Sequence, residues 1–242
     1  MIAFLRHGAG FRRTDGSRIQ MASLHPRLAD AVDLLPDDRP VHLLTRHSVR
    51  EEATNGFADY RLQLTEEGVR LAREWGASLP RPVGGFYSSP VPRCVDTARA
   101  MGEGGREAGL VETELEPETV SVLVEPGCYV EDVRRVGPEF FRLGAVGFIN
   151  RHLRGGMEGM LSPETGRRRL LEYMRERDPR DGQMAVHVTH DTILAAFVAS
   201  LTDNGEISEH DWPWMMEGLW LWFEPGQVCW VWRGEAGWRG LD

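Results

Sequence analysis

A histidine between arginines is the most chemically suggestive feature of this chain. Thr45-Arg46-His47-Ser48-Val49-Arg50 follows directly on an apolar stretch, Val41-His42-Leu43-Leu44. A neutral imidazole is a good nucleophile near pH 7. Guanidinium groups immediately before it and three residues after it supply forks matched to phosphate oxygens. Two later segments carry the same flavour: Ser88-Ser89-Pro90-Val91-Pro92-Arg93 and Val188-Thr189-His190-Asp191. Together these residues suit phosphoryl transfer, a reaction that needs positioning and charge neutralisation more than elaborate covalent chemistry.

Such residues must be delivered by a scaffold, and the pattern from Val41 onward is strand, loop, helix. Val41–Thr45 reads as a buried strand whose end presents Arg46 and His47. Thr65 is a good N-cap, with Glu66 and Glu67 in the first turn where the helix dipole favours acids. Val69, Ala72, Trp75 or Gly76, and Leu79 mark the expected buried face of that helix. Val83–Tyr87 reads as a second strand, followed by the Ser-Ser-Pro turn and a helix through Cys94, Val95, Ala98 and Met101. Residues 102–165 are richer in glycine and less periodic, and read as an inserted cap. Ser162-Pro163-Glu164 starts a helix that runs to about Arg177 and stops at Asp178-Pro179. Ala185–Thr189 is a third strand, with a helix from Asp191 to Leu201. A hairpin closes the chain, with strands Gly218–Phe223 and Val228–Arg233 joined by Glu224-Pro225-Gly226-Gln227. Residues 1–38 form an N-terminal arm with a short helix between Leu24 and Leu35; Met21 is a candidate alternative start. Alternating strands and helices imply a mainly parallel sheet covered on both faces, with ligands at the carboxyl ends of its strands.

In this order and at these intervals, the three segments resemble the histidine phosphatase superfamily, which includes phosphoglycerate mutases and histidine acid phosphatases. Its members show Arg-His-Gly with an arginine three residues after the histidine. They also show a Ser-Pro turn with an arginine three residues after the proline, and a late histidine ending a strand. Arg46, His47, Arg50, Arg93 and His190 stand at the matching positions. The resemblance spans Val41 to Phe223 and implies a single domain: a three-layer α/β/α sandwich with a mainly parallel central sheet and a cap insertion. It implies a metal-independent phosphomonoesterase without a cofactor, acting on a small phosphorylated metabolite. His47 would form a phosphohistidine while Arg46, Arg50, Arg93 and His190 hold the phosphate oxygens. The alternatives are a mutase, which returns the phosphoryl group to a second hydroxyl inside a dry cap, and a binding module that keeps the pocket without turnover.

Two carboxylates compete as the acid for the leaving oxygen. Asp191 resembles the donor of the acid phosphatase branch and is preferred, because the histidine-aspartate pair is the more specific match. Glu125, in Val124-Glu125-Pro126-Gly127, resembles the donor of the mutase-like branch. Their plainer readings are a helix N-cap for Asp191 and a turn acid for Glu125. Ser48 stands where most relatives carry glycine; if that position needs a positive φ, serine tightens the pocket, unless its hydroxyl donates to the anion. Upstream, Phe4-Leu5-Arg6-His7-Gly8 imitates the first motif, but Gly10 occupies the place of the wanted arginine and the Leu64-Thr65-Glu66 helix start is too distant. His47 is therefore preferred to His7.

The chain as a whole limits the alternatives. Its 242 residues suit one α/β domain with an insertion. A formal net charge of −9 argues against general nucleic-acid binding. There is no lysine, so every phosphate clamp must be an arginine fork. Three well-separated cysteines, Cys94, Cys128 and Cys229, suggest neither a disulfide framework nor a metal site and favour a reducing compartment. With no signal-peptide pattern and no run of membrane-spanning length, a cytoplasmic protein is expected, with no membrane partner. His187 and His190 sit three apart on one strand and so point to opposite faces. His25, His42, His152 and His210 lack ligand-like spacing and read as structural. Asn55 reads as a substrate contact or a loop cap. Trp220, Trp222, Trp230 and Trp232 would form one aromatic face, packed or used for a homodimer. Phe140, Phe141, Phe148, Arg151 and His152 are the candidate specificity residues of the cap.

Overall fold

The structure, a computed structural model, describes residues 24–52, 60–113, 116–124 and 127–241. Asn55, Glu125 and the Arg6-His7-Gly8 segment lie outside the described residues. A short helix, α1 (Arg27–Asp30), and a 3-10 turn at Val32–Leu34 precede the first strand and bury Leu28, Ala31 and Leu35. Seven strands follow: β1 (Val41–Arg46), β2 (Val83–Ser88), β3 (Glu118–Thr119), β4 (Met184–Thr189), β5 (Gly218–Glu224), β6 (Gln227–Trp232) and β7 (Glu235–Gly240). They form one sheet in the order β3-β2-β4-β1-β5-β6-β7. The β3-β2-β4-β1 half is parallel, and β5, β6 and β7 continue it antiparallel.

Helices cover both faces. α2 (Glu66–Ala77) and α3 (Pro92–Glu107) pack on one side around Val41, Leu43, Val186 and Trp220. The long α4 (Val133–Leu153), α5 (Pro163–Arg175) and α6 (Asp191–Leu201) contribute to the other side around Leu44, Leu219 and Leu221. This is the three-layer α/β/α sandwich expected from the motifs, with a mostly parallel core. The central strands β1 and β4 are buried along their whole length, as strands covered on both faces should be.

Their polar side chains must then be satisfied inside the protein. His42 on β1 and His187 on β4 achieve this as a ladder: Asp178 Oδ1 lies 2.6 Å from His42 Nε2, His42 Nδ1 lies 3.0 Å from His187 Nε2, and His187 Nδ1 lies 3.0 Å from the Tyr173 hydroxyl. A carboxylate can only accept, so the donors run in one direction from Tyr173 to Asp178. His42 is thus consumed within the core.

Several local expectations shift. Thr65 caps α2 by accepting from the Gly68 N–H, but the buried face is Gly68, Leu71, Ala72, Trp75 and Gly76; Val69 is 41% exposed. The reason is close backbone approach. A Cβ on Gly76 would collide with the Met101 carbonyl, and one on Gly104 with the Arg73 carbonyl, so α2 and α3 touch almost backbone to backbone. Glycine content had placed residues 102–107 with the inserted segment, yet they complete α3. Within that segment α4 is a 21-residue helix, interrupted at Gly144 (φ 68°, ψ 171°) and carrying Pro138. The four tryptophans do not share a face. Trp220 and Trp222 join the core under α2 and α3, whereas Trp230 and Trp232 pack on the opposite side. These side chains therefore offer a homodimer no common aromatic face.

Replacing Gly76 with alanine should cost about 2–3 kcal/mol, because the added methyl meets main chain that cannot rotate away. Urea denaturation of Gly76→Ala against the parent protein measures it; an unchanged midpoint would contradict the close α2–α3 contact.

Candidate active site

The carboxyl ends of β1, β2 and β4 bring the three sequence motifs together. β1 ends at Arg46 and hands over to His47; β2 ends at Ser88 before Ser89; β4 ends at Thr189 before His190. Main-chain bonds fix the junctions: His47 N–H donates to the Thr189 carbonyl at 3.0 Å and Ser89 N–H to the Val188 carbonyl at 2.9 Å. Two helices start here. Arg93 lies in the first turn of α3, and His190 is the residue preceding α6. Both amino-terminal helix ends therefore add positive potential at one place.

His47 is 2% exposed. Its Nδ1 lies 2.8 Å from the Ser48 carbonyl, which can only accept, so the proton sits on Nδ1. Arg93 Nε, a donor, lies 3.1 Å from His47 Nε2, which agrees with the same tautomer. The unprotonated Nε2 lone pair is thereby directed at a guanidinium. Burial, then Arg46, His190 and Arg93, push the His47 pKa well below its ordinary 6.5, so the ring is neutral at physiological pH.

His190 stands 5.7 Å from His47, centroid to centroid, with the ring planes at 72°. Arg93 Nη2 lies 3.3 Å from His190 Nδ1, so that nitrogen accepts; the proton on Nε2 faces the Ser89 hydroxyl at 2.9 Å. Burial and then Arg93 lower the His190 pKa to about 3.

Arg46 is 8% exposed and held at both ends. Nη1 donates to the Pro213 carbonyl at 2.6 Å, and Nη2 lies 2.5 Å from Asp191 Oδ2. Its Nε is buried with no hydrogen-bond partner among the described residues. Burial alone would raise the Asp191 carboxyl, but Arg46, His47 and His190 overcome that and hold it below the usual aspartate range. Arg50 is half-buried; its backbone bridges to Leu64 and its Nη1 donates to the Glu51 carbonyl at 2.7 Å. The structure thus clusters Arg46, His47, Arg93, His190 and Asp191. The described neighbours of Glu125 lie beside the cluster: the Leu123 carbonyl accepts from Thr189 Oγ1 at 2.8 Å, and Gly127 abuts Ile193.

Ser48 does not do what its place in the motif suggested. It is not among the described residues with positive φ, so glycine is not required there. Its hydroxyl donates to the Gly68 carbonyl at 2.7 Å rather than facing an anion, and its N–H donates to Thr97 Oγ1 at 3.0 Å. Ser48 therefore ties the nucleophile loop to α2 and α3. Sequence reasoning assigned no role to Ser89 or Pro213. Ser89 lay within a quoted motif; Pro213 acts through a main-chain carbonyl, which side-chain patterns do not reveal. Among the described residues, no group of three or more histidines, cysteines or acids is placed to hold a metal, and no helix is long and apolar enough to cross a membrane.

Residues 42–218 match the family model for the histidine phosphatase superfamily (branch 1). The chain belongs to that superfamily. Similar solved structures include a phosphoserine phosphatase mutant from Entamoeba histolytica in complex with phosphoserine (TM-score 0.55, 17% identity, covering 79% of this chain and 95% of that one). Phosphoglycerate mutase from Bacillus anthracis str. Sterne is also similar (TM-score 0.52, 14% identity, covering 84% and 93%). So is a mycobacterial glucosyl-3-phosphoglycerate phosphatase in complex with VO3 (TM-score 0.52, 18% identity, covering 84% and 97%). At these identities the likeness is one of fold. No curated protein matches the chain in sequence.

The buried neutral histidines make a pH prediction. His47 and His187 are pushed well below 6.5, His190 to about 3, and His152, 1% exposed, to about 4, burial being the largest cause for each. The unfolded chain then binds more protons than the folded one below pH 6.5. Stability should be full above that value and fall as pH drops toward about 4, each histidine contributing up to about 1.4 kcal/mol per pH unit. Urea midpoints at pH 7 and pH 4.5 test this, and equal midpoints would contradict it.

Proposed function

We propose that this protein is a metal-independent phosphomonoesterase that hydrolyses a small phosphorylated metabolite through a phosphohistidine on His47. The observation that carries the reading is the His47 tautomer: two independent contacts leave Nε2 unprotonated and facing Arg93. In the first step the Nε2 lone pair forms the N–P bond while the P–O bond to the substrate alcohol breaks. Arg46 and Arg93 carry the charge on the phosphoryl oxygens, and the two helix starts add to it. Neutral His190, with Nδ1 accepting from Arg93 and its Nε2 proton directed at Ser89, holds Arg93 in place. In the second step water attacks phosphorus, releasing phosphate and regenerating His47.

The departing alkoxide needs a proton. Asp191 is ion-paired to Arg46 at 2.5 Å and its carboxyl is held below the usual range, so it is ionised at neutral pH and poorly placed to give a proton away. Its role in this reading is to orient Arg46. That favours Glu125 as the donor and, in reverse, as the base that activates water.

The test uses two substrates in the presence of a chelator. p-Nitrophenyl phosphate has a leaving group that needs little protonation, whereas an alkyl phosphate needs it fully. Glu125→Gln should slow the alkyl ester by about 10²–10⁴-fold and the nitrophenyl ester far less. Asp191→Asn should slow both alike, and His47→Ala should remove turnover of either. Full phosphate release by His47→Ala would contradict the function proposed; a selective loss in Asp191→Asn would return the donor role to that residue.

A further inference from the structure

Arg46 is anchored by a part of the chain that none of the motifs touches. Pro213 supplies the carbonyl that accepts from Arg46 Nη1, and the Glu217 carbonyl accepts from the Arg46 N–H at 2.9 Å. Met216 N–H donates to the His47 carbonyl at 3.3 Å, and the Thr45 hydroxyl lies 3.1 Å from the carbonyls of both Met216 and Glu217. Residues 210–217 therefore form a loop folded against the end of β1.

One ion pair, its carboxylate buried and its guanidinium part-buried, closes that loop. Glu217 is 1% exposed. Its carboxylate takes Arg233 as a fork, Nε to Oε1 at 2.7 Å and Nη2 to Oε2 at 3.1 Å, and also accepts the Trp214 N–H at 2.8 Å. The same guanidinium donates to the His210 carbonyl at 2.7 Å and the Trp212 carbonyl at 3.2 Å. His25, 3.7 Å from Glu217 and edge-on to Trp214, walls the pair. Of the non-glycine residues with positive φ among those described, Met216 (62°) and Arg233 (49°) both belong to this knot. A buried ion pair is weak ground for stability, since desolvation offsets attraction. Held in strained backbone and spending its donors on one loop, it fixes geometry instead.

We propose that the Glu217–Arg233 pair is a positioning device for Arg46: it fixes the Pro213 carbonyl and thereby the direction in which the Arg46 fork meets the phosphoryl group. Neither residue touches the reacting atoms. The inference rests on the phosphate-holding role given to Arg46 above.

A double-mutant cycle on the full-length chain tests it, with p-nitrophenyl phosphate as the probe. Glu217→Gln should lower kcat/KM by about 10–100-fold, and Arg46→Ala by about 10²–10³-fold. In the Arg46→Ala background, Glu217→Gln should cost less than about 2-fold, because the group it positions is already gone. A loss there as large as in the parent protein would overturn the proposal, since a merely structural role acts on both backgrounds equally. Arg233→Lys, which keeps the charge and loses the fork, runs the same cycle and replaces Glu217→Gln if that variant does not fold. Absent turnover by the parent protein would refute the phosphatase reading alone. The cycle is then read from orthovanadate affinity by calorimetry, where the same coupling supports positioning; independent losses, or no binding by the parent protein, overturn it.

Discussion

One guanidinium placed against two imidazoles is the constraint around which this site is built. Arg93, 1% exposed, lies 3.1 Å from His47 Nε2 and 3.3 Å from His190 Nδ1. Burial does most to keep both rings uncharged and this permanent cation adds to it; an uncharged ring has the lone pair that attack on phosphorus needs. Arg93 also places positive charge where a phosphoryl anion would be held. The nucleophile and its electrostatic partner are thus specified by one geometry.

The rest of the fold supplies the precision. Arg93 owes its place to the first turn of α3, which Pro92 starts without losing an internal hydrogen bond. His47 is set by main-chain bonds to β4 and by Ser48, whose hydroxyl reaches α2 and whose N–H reaches Thr97 on α3. α2 and α3 in turn meet through glycines that let their backbones touch. Shifts in that helix pair would reach the nucleophile through Ser48 and directly through Arg93. On the other flank, Arg46 is spanned between Asp191 at the start of α6 and the loop held by Glu217 and Arg233.

Much of this was legible in the chain because the cues were local. β1, β2 and β4 are short runs with many apolar residues, and each ends at a residue type with obvious chemistry. Ser162-Pro163 and Thr65 state their helix starts outright, and both caps are made as expected. What stayed hidden was decided by partners distant in sequence. The buried face of α2 is offset from the apolar pattern because Gly68 and Gly76 meet backbone, and glycine carries no hydrophobic signal. α4 was obscured by Pro138 and Gly144, and β7 by two glycines and largely exposed residues. Ser48 could be read only as a departure from glycine until its partner, the Gly68 carbonyl twenty residues away, was known. Glu217 and Arg233 have no motif at all; only the antiparallel turn between β5 and β6 brings them together.

Direct observation of the covalent intermediate bears on the whole account. Rapid acid-free quenching of the protein with radiolabelled phosphoester, followed by peptide mapping, should place an acid-labile, alkali-stable phosphoryl group on the peptide containing His47, and none in His47→Ala. Label on His190, or steady turnover with no labelled protein at any quench time, would contradict it.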